Sequence, residues 1–185
     1  LLRYCYRVAG TVGEMLLPVI GLDEGVAEEA IALGCAVQML NILRDTREDL
    51  MDRDRIYLPL ADAARVGLSE AALEDTIRSG SPTKAYRRLL RLQGLRTAKL
   101  LLRAEEALPR IPLGSAVFVA VLIELHRALL AHIRSRDFDN LTPGERMRVS
   151  TSGKAWITLR TTFRVLLAPT AEQRVRRQPL TELGA

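Results

Sequence analysis

The sequence of 185 residues predicts an all-α protein, and three observations carry that prediction. Apolar residues recur at intervals of three and four through most of the chain. No stretch alternates apolar and polar residues as a half-buried strand would. The interruptions are Gly and Pro clusters of the kind that separate helices. With 48% hydrophobic and 26% charged residues, the chain is globular and long enough to bury the core of one domain.

A first helix covers roughly residues 1–17, is interrupted by Gly10 and Gly13, and closes at Pro18 and Gly21. Each glycine inside a helix costs about 1 kcal/mol relative to alanine. Two within four residues therefore predict a kink, a close approach to another element, or a weak helix. "DEG" at 23–25 supplies an N-cap and an acidic first turn for a long helix reaching Asp54. "RIYLP" at 55–59 reads as a short extended break ended by Pro59. Ser69 caps "LSEAALEDTIRSG", with Ala72 where a full capping box would place an acid. Gly80 and Pro82 lead into a helix over 82–108 that carries Leu89, Leu90, Leu92 and Leu95 and ends before Pro109 and Pro112. Helices over 113–136 and 144–167 complete a single domain, 1–167, and 168–185 read as a polar tail.

Composition narrows the function. The basic charge is almost all arginine, with lysine only at 84, 99 and 154; a net charge of +5 suits anionic substrates or an acidic lipid surface without requiring either. Arginine clusters at 87–96 and 174–177 have no recognised nucleic-acid-binding motif around them, and 4% aromatic content is poor material for stacking bases, so no nucleic-acid partner is expected. Cys5 and Cys35 have neither metal-ligand nor disulfide-framework spacing and read as reduced thiols of a cytoplasmic chain. No run of eighteen apolar residues exists, so no spanning helix is expected. The opening "LLRYCYRVAG" is unlike a signal peptide and reads as the interior of a longer protein.

The chemistry concentrates in "NILRDTRED", 41–49. An α-helix turns 100° per residue, so Asn41, Asp45 and Asp49 share one face, with Gln38 and Glu48 on its flanks. Carboxylates and carboxamides are hard oxygen ligands, and Mg²⁺ favours one or two carboxylates completed by water and substrate phosphates. The alternative is a solvated face, because Arg44, Arg47, Arg53 and Arg55 interleave with Asp45, Glu48, Asp49, Asp52 and Asp54. Spacing alone leaves both readings open.

The order of the blocks "YCYRVAGTVG" (4–13), "NILRDTRED" and "RIYLP" resembles the squalene/phytoene synthase family, and "DFDNLTPGERMRVS" (137–150) extends the likeness loosely to Lys154. The resemblance implies an isoprenoid-synthase-type helical fold and head-to-head condensation of two prenyl diphosphates through a cyclopropyl intermediate. Geranylgeranyl diphosphate is the leading substrate, farnesyl diphosphate in a squalene- or diapophytoene-type reaction the alternative, and a non-catalytic relative the third reading. It implies Mg²⁺ (or Mn²⁺) as cofactor, no NADPH, and peripheral contact with a membrane, since substrates and products are lipids. By the same resemblance Asn41, Asp45 and Asp49 are metal ligands with Glu48 beside them, Arg44 holds diphosphate, and Tyr4 stands near the reacting centre. Gln38 is a polar, substrate-binding residue lining the same helix, Val8 and Gly13 lie near the prenyl chain or the cyclopropyl intermediate, and Arg55 is a further diphosphate contact.

Three departures accompany the likeness. The family carries a first aspartate-rich motif well upstream of "YCYRVAGTVG", so this stretch is expected to be the C-terminal part of the domain, incomplete on its N-terminal side. It is expected to hold half of the metal site and to be inactive without the N-terminal half. The interval from Asp49 to Arg55 is one residue longer than usual, which leaves the choice between Arg53 and Arg55 open. His126 stands where a tyrosine is common, and Lys154 aligns loosely with a basic position.

Overall fold

The structure is a computed structural model that describes residues 1–142 and 147–168. Among these residues there are helices and no strands, as the periodicity predicts. The first helix runs without a break as α1 (Leu2–Cys5), a π-helical turn (Tyr6–Gly10) and α2 (Thr11–Leu16). The π turn admits an extra residue into the ladder, so the segment keeps its hydrogen bonds and is not a weak helix. Of the three outcomes its glycines predict, close approach is realised. A Cβ on Gly13 would overlap the Ala30 carbonyl, and a Cβ on Gly34 would overlap the carbonyl of Ala9.

Gly21 turns the chain in the left-handed region at φ 71°, and Asp23 caps the next turn by accepting a hydrogen bond from Gly25 N at 2.8 Å. After one 3₁₀ turn comes α3 (Ala27–Arg53), which ends where Asp54 adopts φ 51°. This helix is the axis of the molecule. Met39, Leu40, Leu43 and Leu50 are buried against its neighbours, and it packs on the N-terminal helices and on the helices Glu70–Ser79, Lys84–Glu105 and Leu113–Ser135.

One short helix was not anticipated. Pro59 ends the extended break but also N-caps α4 (Leu60–Arg65). Six residues are too few for periodicity to register, and the helix is held by a tertiary ion pair instead. Asp62, 5% exposed, accepts from Gln93 Nε2 at 3.0 Å and is paired with Arg96. Ser69 caps α5 (Glu70–Ser79) as expected, and Gly80 ends it at φ 70°. Thr83 caps α6 (Lys84–Glu105), and α7 follows at Leu113–Ser135. The last helix, α8 (Thr151–Leu167), begins later than the expected 144. Ser150 caps it through Gly153 N, and 147–150 are irregular. Residues 143–146 and all but Ala168 of the expected polar tail lie outside the described residues.

By length and composition two helical stretches among the described residues, Glu24–Arg53 and Leu113–Ser135, are apolar enough to cross a membrane, although neither contains an uninterrupted apolar run of eighteen residues. Glu24–Arg53 is mainly a core helix, with 56% of its most apolar window buried in the protein. Cys5 and Cys35 are both free and buried. Burial, followed by the neighbouring Cys35, pushes the Cys5 thiol up to about 11.

Two predictions follow from this packing. Replacing Gly34 with alanine should cost about 2 kcal/mol or more in urea unfolding, because the obstacle is backbone and cannot rotate away. Arg96, followed by Gln93, holds the Asp62 carboxyl below the usual carboxylate range. Its contribution is therefore present at neutral pH and is lost as pH falls through that lowered value. Arg96→Leu should destabilise by roughly 2 kcal/mol at neutral pH, discounting for the half-exposed guanidinium. The difference from wild type should vanish in acid, which urea melts across pH would check.

Candidate functional site

The first turn of the N-terminal helix and the second half of α3 face each other across a polar cavity of about 250 Å³. It brings together Tyr4, Gln38, Asn41, Arg44, Asp45 and Asp49, six of the residues the sequence singled out. It also includes Arg53 and Tyr57. Glu48 and Arg55 are outside the lining: Glu48 is on the exposed flank of α3, and Arg55 reaches the cavity only through Tyr57. The structure thus puts Arg53, rather than Arg55, against the carboxylates.

Each carboxylate is engaged by an arginine of its own helix. Arg44 grips Asp45 through two parallel bonds of 2.6 Å, and Arg53 Nη1 donates to Asp49 at 2.5 Å. Asp49 is buried while Arg53 is largely exposed, so that pair stands at the cavity mouth. A fork-to-fork arginine–carboxylate pair is pre-shaped for phosphate oxygens as well. Among the described residues no group of three or more His, Cys, Asp or Glu side chains gathers to hold a metal. The donors present are two carboxylates and one carboxamide on one helix face, which fits Mg²⁺ completed by the oxygens of a bound diphosphate.

Tyr57 is the residue that sequence reasoning passed over, although it lies inside the quoted "RIYLP". Its ring stacks on Tyr4 with centroids 5.1 Å apart and planes at 28°. Arg55 Nη1 donates to its hydroxyl at 3.4 Å. That bond, followed by the one from Tyr4, lowers the Tyr57 phenol from its ordinary value, while the bond to Tyr57 raises that of Tyr4. Tyr4 is therefore a protonated donor at neutral pH, held in place by its neighbour.

The polar cavity gives way, one turn along the same two helices, to an apolar cavity of about 350 Å³. Val8, Val12 and Gly13 form one wall, Leu33, Gly34 and Val37 of α3 the opposite one, and Phe118 and Leu122 of α7 close the side. Val8 and Gly13 both line this cavity. Residues 30, 33, 34 and 37 recur at helical spacing, so a single face of α3 lines this cavity. On the other side of Arg44 is a third cavity, of about 280 Å³, lined in part by His126, Arg148 and Lys154. His126 donates through Nδ1 to the Leu122 carbonyl at 2.7 Å, and burial lowers its pKa below the ordinary value. Lys154, which the sequence aligned only loosely, is therefore a neighbour of Arg44.

A buried bond set holds the turn that carries Arg44 and Asp45. Asn140 donates to the Leu43 carbonyl at 2.5 Å and to Thr46 Oγ1 at 3.2 Å, and accepts from the Tyr86 hydroxyl at 2.8 Å. The loop after α7 is in this way pinned to α3 and α6.

Comparison with known proteins agrees with this fold. The family model described as Squalene/phytoene synthase matches residues 1–153. Phytoene synthase of Thermus thermophilus is 40% identical over 184 residues, covering 98% of this chain and 57% of that protein. The chloroplastic phytoene synthase 2 of Oryza sativa is 40% identical over 146 residues, covering 75% of this chain and 35% of that one. The chain therefore spans a third to just over half of these relatives. Among solved structures, a dehydrosqualene synthase superposes with TM-score 0.77 at 26% identity, covering 89% of this chain and 56% of that one. The squalene synthase HpnC of Alicyclobacillus acidocaldarius gives 0.67 at 29% identity, covering 74% and 51%.

The tyrosine pair supplies a direct test. Arg55→Met should raise the pH at which Tyr57 ionises, because it removes the largest influence lowering it. Alkaline titration of tyrosinate absorbance, with Tyr57→Phe as the subtraction control, reads that shift; an unchanged curve would place Arg55 away from the hydroxyl.

Proposed function

The chain belongs to the squalene/phytoene synthase family, and on that premise we propose that its protein condenses two prenyl diphosphates head to head through a cyclopropyl diphosphate intermediate. The observation that carries the proposal is the adjacency of the two cavities. Along α3 a polar cavity with acid and arginine side chains passes within one turn into an apolar one, the shape and chemistry of a diphosphate with a hydrocarbon tail.

The division of labour follows from the geometry. Asn41, Asp45 and Asp49 would hold Mg²⁺, which when bound supplies positive charge to the diphosphate oxygens. Arg44 and Arg53, already beside the carboxylates, turn their remaining donors to the diphosphate and stabilise the charge it gains on leaving. Tyr4 donates from its protonated hydroxyl at the cavity mouth. The apolar walls receive the prenyl chain and keep water from the allylic cation, which would otherwise be captured as an alcohol. Lys154, Arg148 and His126 lie beside Arg44 as a second contact for the anion.

The phytoene synthase relatives support geranylgeranyl diphosphate as substrate. The squalene and dehydrosqualene synthase neighbours support the farnesyl alternative. Location in the cytoplasm with peripheral membrane contact belongs to the same proposal, supported by the exposed Trp156 and Phe163 on α8 beside Lys154, Arg160 and Arg164.

The full gene product containing this chain, incubated with Mg²⁺ and each diphosphate, should release a hydrocarbon identifiable by mass. Asp45→Asn and Asp49→Asn should each lower kcat/KM by roughly 10²–10³-fold. Activity should disappear on chelation and return with Mg²⁺ or Mn²⁺, without added NADPH. No hydrocarbon from any diphosphate would defeat the catalytic reading and leave the non-catalytic one.

A further inference from the structure

The apolar cavity ends in a charge. Among the described residues that line it, Glu29 is the sole ionisable one, and it is 4% exposed. Its carboxylate is held by Arg110 at 2.8 Å and by Arg103 at 3.2 Å. Both arginines are anchored elsewhere too: Arg110 donates to the Gly25 carbonyl at 3.0 Å, and Arg103 to Glu28 at 2.6 Å. The clamp therefore ties the start of α3 to the end of α6. Beside it, Leu17, Val26 and Ala107 form a small buried cluster that closes the apolar space.

Position along α3 gives this charge its meaning. Asn41, in the polar cavity, is twelve residues from Glu29, a rise of roughly 18 Å. A chain anchored at the polar end and lying along the α3 face would advance toward Glu29. Meeting it, hydrocarbon would have to strip an ion-paired carboxylate of its partners or push aside two multiply anchored arginines, and a low-dielectric interior opposes both. An apolar side chain in that position would yield by changing rotamer; a clamped carboxylate does not.

We propose that Glu29, clamped by Arg103 and Arg110, is the stop that sets the longest prenyl chain the cavity admits, with Ala107 as the wall beside it. The inference rests on the reading of the cavity as a prenyl-chain site and adds a specificity-determining residue to it. Glu28, Glu106 and the Gly25 carbonyl still engage the arginines when Glu29 is removed, so Glu29→Ala should fold.

The full gene product is assayed with farnesyl, geranylgeranyl and geranylfarnesyl diphosphate in competition. Glu29→Ala should raise kcat/KM for the longest chain, relative to the preferred one, by about tenfold or more. Ala107→Phe should lower that ratio by a similar factor while farnesyl diphosphate remains a substrate. Glu29→Gln, which keeps the bulk and can still accept from the arginines, should keep the wild-type ratio. If Glu29→Ala and Ala107→Phe both fold, as judged by circular dichroism, and both keep the wild-type ratio, the stop is overturned. Should Glu29→Ala fail to fold, Ala107→Phe decides alone. Should the wild type release no hydrocarbon, the catalytic reading falls, and thermal upshift by prenyl alcohols of the three lengths judges the stop separately. A length cut-off that Glu29→Ala moves upholds it, and one that does not move overturns it.

Discussion

Two backbone contacts set the rest of the structure. Gly13 lies against the Ala30 carbonyl and Gly34 against that of Ala9, so the N-terminal helix and α3 touch main chain to main chain at two points. A Cβ at either glycine would force the helices apart. With the pair this close, side chains just beyond the contact on each helix face a shared space instead of meeting in the middle. That space is the apolar cavity, and its polar continuation starts one turn away, at Tyr4 and Gln38. The π turn at Tyr6–Gly10 sits between the two, where one extra residue changes the phase of the helix and lets Tyr4 and Val8 line adjoining cavities.

The long helix α3 is divided along its length rather than around its circumference. Its N-terminal half offers small and apolar residues to the cavity; its C-terminal half offers carboxylates, a carboxamide and arginines. Both halves bury their other faces in the same core, through Ala36 and Met39 in one and Leu43 and Leu50 in the other. A helix divided in this way grades the polarity of a cavity running beside it, which a molecule with an anionic head and a greasy tail requires.

Arginine carries much of the order in this protein. Arg44 and Arg53 neutralise Asp45 and Asp49 within α3, Arg96 secures Asp62, and Arg103 and Arg110 secure Glu29. In each case a mostly buried carboxylate meets a guanidinium that is partly exposed, so the acid is satisfied while the base keeps some hydration. At the cavity mouth the same arrangement has a second use, because arginines already facing inward need little reorganisation to meet a phosphate.

Local chemistry made much of this legible in the sequence. Caps at Asp23, Ser69 and the stops at Gly21 and Gly80 act within a few residues, and they fall where the sequence predicts. The one-face spacing of Asn41, Asp45 and Asp49 follows from the 3.6-residue period alone, and the order of the flanking blocks brought the family resemblance with it. Other features depend on residues far apart in the chain. The helix Leu60–Arg65 is held because Arg96 reaches Asp62; Tyr57 joins the site because its ring meets Tyr4 from more than fifty residues away; Glu29 is clamped because the end of α6 and the turn after it bring Arg103 and Arg110 to it. The sequence by itself determined the long helices, most of their stops and which helix face carries the acids, since these depend on neighbours one turn away. Only the tertiary structure decided that Tyr57 joins the site and which glycines bring backbones together, since both depend on how closely one segment packs against another.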